Sequence, residues 1–77
     1  MGSKYPVLKS SEVVARLKKH GFAFRSQKGS HAKYIKKQEG TPTLSAIVPM
    51  HYEVDKGTLQ SILEQADISL DDFMSKP

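Results

Sequence analysis

From Leu44 to Met50, apolar residues recur at every second position: Leu44, Ala46, Val48 and Met50. A period of two puts all four on one face of an extended strand. Such a strand cannot stand alone in water. It needs neighbours to satisfy its backbone hydrogen bonds and a cover for its apolar face. Thr43–Met50 is therefore read as one strand of a sheet covered on one side, and the rest of the chain must supply the other strands and the cover. Pro49 has no backbone N–H, so the strand either ends there or lies at an edge.

The cover comes from both ends of the chain. Val13, Val14 and Leu17 fall at helical spacing. They predict a helix capped by Ser10 or Ser11 and running through about His20. Gly21 stands where a left-handed C-cap is needed. Arg16, Lys18 and Lys19 take other faces, and cations in the last turn complement the negative end of the helix dipole. His20 reads as one more cation at that end rather than as a catalytic group. Downstream, Leu59, Ile62, Leu63 and Ala66 form an i, i+3, i+4, i+7 stripe. Asp55 is the expected N-cap of that helix, and Asp67 takes the stop position that glycine usually fills. Ser69 opens a last short helix, with Asp72 at the capping-box position and Leu70 and Phe73 as core residues.

Two more strands precede the alternating one. Phe22–Ser26 is read as a strand with Phe22 and Phe24 on one face. Gln27–Ser30 is the turn, with Gly29 available for a positive φ. His31–Lys37 is the next strand, with Ala32 and Tyr34 toward the core and His31 and Lys33 on the open face. Ile35 breaks that pattern: either it lies under a partner or the register is wrong. Gln38–Pro42 is a polar loop and His51–Asp55 a connector. In the opening segment Lys4–Lys9, Tyr5, Val7 and Leu8 suit an edge contact, while Pro6 argues against a central strand. The order is α-β-β-β-α with a short final helix. It predicts an α+β fold of two layers, a three-stranded antiparallel sheet with its helices on one face.

Seventy-seven residues suffice for a single domain over 1–77, with its core over about 9–74. There is no cysteine, so disulfides and thiolate metal sites are excluded. Met1-Gly2-Ser3 reads as a cloning remnant and is left out of the fold. No apolar run suggests a signal peptide or a membrane span of ~20 residues, so a cytoplasmic location is expected. Charge is divided unevenly. Residues 1–37 hold ten Lys/Arg against Glu12 alone, a balance of +9, while residues 38–77 hold two against seven acids, a balance of −5. A basic half points to a polyanionic partner, most often nucleic acid. The plainer alternative is two solvated faces of opposite sign.

Basic residues concentrate around one histidine in the stretch Arg25-Ser26-Gln27-Lys28-Gly29-Ser30-His31-Ala32-Lys33-Tyr34. An imidazole held by a sheet and surrounded by Arg25, Lys28 and Lys33 suits chemistry on a phosphodiester. The same residues suit plain phosphate binding. RNA carries its own nucleophile, the 2′-hydroxyl, so cleavage requires only proton transfers and stabilisation of the charged phosphate. Histidine, ordinarily titrating near ~6.5, serves either transfer. Backbone N–H groups near Gly29-Ser30 add to phosphate binding; the Ser30 hydroxyl either orients the phosphate or imidazole or simply fills the turn. His51 is a candidate second proton donor, or else an exposed loop histidine. Three scattered histidines lack metal-ligand spacing, so no metal and no cofactor is expected. Ser30 and His31 do not form a hydrolase pair, because adjacent strand side chains point to opposite faces.

An ordered set of short motifs goes further. Gly21-Phe22, Arg25, Lys28-Gly29-Ser30-His31, Val48-Pro49-Met50-His51, Gly57-Thr58-Leu59, Ile62-Leu63, Ile68-Ser69 and Phe73 resemble the HicA family. These are small toxins of bacterial and archaeal toxin–antitoxin pairs, similar in fold to double-stranded-RNA-binding domains. The resemblance spans roughly residues 9–74. It implies a ribosome-independent mRNA interferase, His31 as its catalytic residue, and a HicB-type antitoxin that covers the active site. Asp67 departs from the glycine that many relatives carry there. Three readings follow: an endoribonuclease toxin, a non-catalytic RNA-binding module, and an adaptor whose basic half binds an acidic protein.

Overall fold

A computed structural model describes residues 4–75 of the chain; Met1-Gly2-Ser3 lies outside them. The elements are β1 (Leu8–Lys9), α1 (Ser10–Lys19), β2 (Ala23–Lys28), β3 (His31–Lys36), β4 (Leu44–Pro49), β5 (Glu53–Val54), α2 (Lys56–Ala66) and α3 (Leu70–Ser75). This is the expected α+β layout. β2, β3 and β4 form an antiparallel meander with β3 in the middle, and β1 pairs antiparallel with β5 in a separate two-stranded ladder. Among the described residues no helix is long and apolar enough to cross a membrane.

The core lies between one sheet face and the helices. Ala32 and Tyr34 of β3 and Ala46 and Val48 of β4 meet Val13 and Leu17 of α1 and the whole Leu59, Ile62, Leu63, Ala66 stripe of α2. Phe22 and Phe73 complete it. His31, Lys33 and Ile35 stay on the opposite sheet face, so the register read from Ala32 and Tyr34 holds and Ile35 is half-buried there. β4 is an edge strand by the order of the meander, and α2 packs against it. The Ile47 N–H, unused by the sheet, donates to Gln65 Oε1 of α2 at 3.2 Å. Pro49 lies two residues on, so its missing N–H falls on the same outer edge and costs the ladder nothing.

Both long helices end alike. After α1, Phe22 N–H donates to the Leu17 carbonyl and Gly21 N–H to that of Lys18, with Gly21 at φ +94°. After α2, Ile68 and Asp67 repeat the pattern onto Leu63 and Glu64, with Asp67 at φ 58°. Asp replaces glycine there because its short polar side chain tolerates the left-handed region better than most. A Cβ on Gly21 would stand 3.2 Å from Lys36 Cε, the far end of a flexible side chain that can move aside, so the positive φ is what calls for glycine there. Asp55 caps α2 by accepting from Thr58 N–H at 2.8 Å, and Ser69 Oγ accepts from Asp72 N–H at the start of α3.

Four expectations need correction. Neither Ser10 nor Ser11 caps α1: the cap position is Lys9, in extended backbone, with no side-chain bond. Strand β1 runs straight into the helix, and Ser10 N–H donates to the Tyr52 carbonyl instead. Phe22 and Phe24 do not share the core. Phe22 is buried at the end of α1, whereas Phe24 is 54% exposed and rests edge-on against Tyr34. The helix layer covers the β4 side of the sheet, so every residue of β2 is exposed. The turn is shorter than read, since β2 runs to Lys28 and only Gly29-Ser30 intervene. Met50 falls outside β4 and is exposed.

His20 is half-buried, and its ring stacks on Phe73 at 6.2 Å, so it joins α1 to α3 by packing. Arg16 makes the same join with hydrogen bonds. Its Nη1 donates to the carbonyls of Phe73 (3.1 Å) and Met74 (3.2 Å), and its Nε to Glu12 Oε2 at 3.1 Å. These carbonyls at the end of α3 have few other donors, and bonds from a charged group are strong. Arg16→Met keeps the apolar stem and removes the donors. It is expected to lower stability by about 2 kcal/mol, seen as a lower urea midpoint at unchanged slope. An unshifted midpoint would refute the clamp.

Candidate active site

His31 is the first residue of β3, immediately after the Gly29-Ser30 turn. Gly29 has φ +59° and open space around it, as a two-residue hairpin loop requires. Gln27 Nε2 donates to the Gly29 carbonyl at 3.0 Å, and Ser30's carbonyl accepts the Met50 N–H. The second of these bonds ties the turn to the end of β4. His31 therefore stands between Lys28, opposite it on β2, and Pro49, opposite it on β4. Lys33 follows on the same face. Lys28, Lys33 and Arg25 are all exposed, and Arg25 sits at an irregularity in the β2–β3 register, between Phe24 and Ser26.

A cleft of about 390 Å³ opens beside His31. One wall is the sheet, with His31, Ile47 and Pro49; the other is the stretch leading into α2, with His51, Glu53, Val54, Asp55 and Thr58. The structure thus brings His31 and His51 to one cavity. Pro49 ends β4 beside His31, and the chain must then turn back to pair β5 with β1, which carries His51 across the cleft mouth. Arg25, Lys28, Gly29, Ser30 and Lys33 do not line the cleft: Lys28, Gly29 and Ser30 lie at the hairpin turn next to His31, Lys33 follows on the same sheet face, and Arg25 lies farther along β2 at the break in its register.

The two walls differ in charge. Lys28 and Lys33 lie on the sheet side, and Glu53 and Asp55 on the other. Asp55 is committed to its helix. The Thr58 backbone N–H, then the Thr58 side chain, hold its carboxyl below the usual carboxylate range, against a small opposing effect of burial. The side chains of His31, His51 and Glu53 make no hydrogen bond or ion pair with another described residue, and all three residues line the cleft. Among the described residues no group of three or more His, Asp or Glu is arranged to hold a metal ion. Glu53 and the β1–β5 ladder escaped the reading of the sequence, because two-residue strands are too short to show a period.

The family model described as "HicA toxin of bacterial toxin-antitoxin" matches residues 10–68. The chain belongs to the HicA toxin family. The match runs from the first residue of α1 past the end of α2, so it takes in the whole meander and every residue of the cleft. Membership places the protein in a toxin–antitoxin system, with an antitoxin as its partner. No curated protein matches the chain.

The Asp55 cap predicts a pH effect with a definite sign. A carboxyl lowered by folding adds stability above its unfolded value of about 3.9 and loses it as pH falls through the folded value. Asp55→Asn should therefore melt below the wild type at pH 7, and the gap should narrow when both are melted near pH 3. A gap of equal size at both pH values would contradict the assignment.

Proposed function

We propose that this HicA-family toxin is a metal-independent, ribosome-independent endoribonuclease acting on mRNA, with His31 as its catalytic residue. The observation that carries this reading is His31 itself: a strand-anchored imidazole at a cleft mouth, with Lys28 and Lys33 beside it and His51 across from it. The 2′-oxygen attacks phosphorus as its proton leaves, the bond to the 5′-oxygen breaks, and that oxygen takes up a proton. The products are a 2′,3′-cyclic phosphate and a 5′-hydroxyl. His31 performs one proton transfer and His51 the other. Arg25, Lys28 and Lys33, with the backbone around Gly29 and Ser30, bind the RNA phosphates and offset the charge that builds on them. The reaction belongs in the cytoplasm, where mRNA is found. A HicB-type antitoxin neutralises the toxin by covering the cleft.

One feature favours a second reading. His31 has no hydrogen-bonded group to orient it, as a catalytic imidazole often has. A non-catalytic RNA-binding module would use the same cations and need no oriented imidazole.

RNA cleavage in excess EDTA separates the two. His31→Ala is expected to lower the rate by at least about 100-fold, and His51→Ala by about 10- to 100-fold, with circular dichroism spectra unchanged. Equal cleavage by wild type and His31→Ala would remove His31 from the chemistry. Salt-sensitive RNA binding without cleavage by the wild type would favour the binding module.

A further inference from the structure

Tyr52 follows His51 and precedes Glu53, both of which line the cleft. It is 72% exposed, more than any other large apolar side chain among the described residues. Exposure alone means little for one tyrosine. Its setting is more specific. The Tyr52 carbonyl accepts the Ser10 N–H at 3.3 Å, and the next two residues are held in the β1–β5 ladder. The Lys9 ammonium lies over the ring at 5.2 Å from its centroid. The backbone under the ring is thus fixed, one face carries a cation, and the other is open. Both sequence neighbours of Tyr52 line the cleft while its own ring does not, so the ring stands beside the cleft rather than in it.

An aromatic face paired with a cation is how proteins grip single-stranded nucleic acid: the base stacks while the cation meets the backbone. We propose that Tyr52 is a stacking platform for a base of single-stranded RNA flanking the phosphate held at the His31 cleft. This rests on the ribonuclease reading and adds a binding residue to it. Purine-rich RNA should gain more than pyrimidine-rich RNA, because the larger base stacks more strongly. Lys9 both props the ring and supplies charge to the neighbouring phosphate.

The test uses the full chain and a fluorescein-labelled 2′-O-methyl oligoadenylate of about twelve nucleotides, which has no free 2′-hydroxyl and is not cleaved. Tyr52→Ala should weaken its binding by about 10-fold, while Tyr52→Phe stays within about twofold of wild type. The slope of log Kd against log salt should be the same for all three, since no phosphate contact is lost. The ring is exposed, so its removal leaves no cavity; matching melting curves check the fold. Wild-type binding that is indifferent to Tyr52→Ala overturns the stacking role and leaves the ribonuclease reading intact. So does a loss in Tyr52→Phe equal to that in Tyr52→Ala, which would assign the effect to the hydroxyl. Failure of the wild type to bind the oligonucleotide at all overturns the stacking role, while the ribonuclease reading stands or falls with the cleavage assay.

Discussion

The burial of Ala32 and Tyr34 is the constraint on which the site depends. β3 is the central strand, and its two faces have opposite tasks. Because side chains alternate, pressing Ala32 and Tyr34 onto the helices forces His31 and Lys33 outward. A slip of one residue would bury an imidazole and an ammonium and expose a tyrosine, which the core would not tolerate. The packing that stabilises the sheet therefore also aims the histidine. Val48 and Ala46, opposite Ala32 and Tyr34, hold the same register from β4. No residue of the open face is needed to keep it.

The second wall of the cleft depends on a different element. β5 is only two residues long, yet it joins the end of β4 to α2 and is paired to β1 at the other end of the chain. Val54 anchors it in the core, and Asp55 then starts α2. The N-terminal segment thus contributes to the site without lining it: by pairing with β5 it sets where the chain lies from His51 to Asp55. The same ladder replaces the serine cap that α1 does without.

Much of this was legible beforehand. The strand alternation, both helical stripes, the left-handed stops at Gly21 and Asp67 and the Asp55 cap are local patterns, and local patterns survive folding. The relation of His31 to His51 was legible in principle. Closing the β3–β4 hairpin over Gln38–Pro42, with Lys37 opposite Thr43, sets His31 opposite Pro49, and His51 follows two residues later. That step combines a loop length with a register, and a residue-by-residue reading misses it. The exposure of Phe24 was not legible, because it depends on how far the helix layer extends across the sheet. Nor was the role of Arg16, whose partners are backbone carbonyls 57 and 58 positions away.

The charge division of the sequence also needs reading through the fold. Several members of the basic half are occupied. Arg16 holds the end of α3, the Lys36 stem crosses Gly21, and Lys9 lies over Tyr52. The acids are occupied as well: Glu12 pairs with Arg16, Asp55 caps α2, Asp67 turns the chain after α2, and Asp71 and Asp72 sit in the first turn of α3, where the helix dipole favours them. A formal +9 against −5 therefore overstates the polarity offered to a ligand. Lys28 and Lys33 share the open sheet face with His31, and the opposite wall of the cleft carries Glu53 and Asp55. A polyanion entering this cleft is drawn by one wall and repelled by the other. On the ribonuclease reading, the RNA backbone would run along the sheet side, over the histidine, with uncharged sugar and base toward the wall that carries Glu53. On that reading the opposed charges would set the direction of approach, which is how a small open site can orient a substrate it does not enclose.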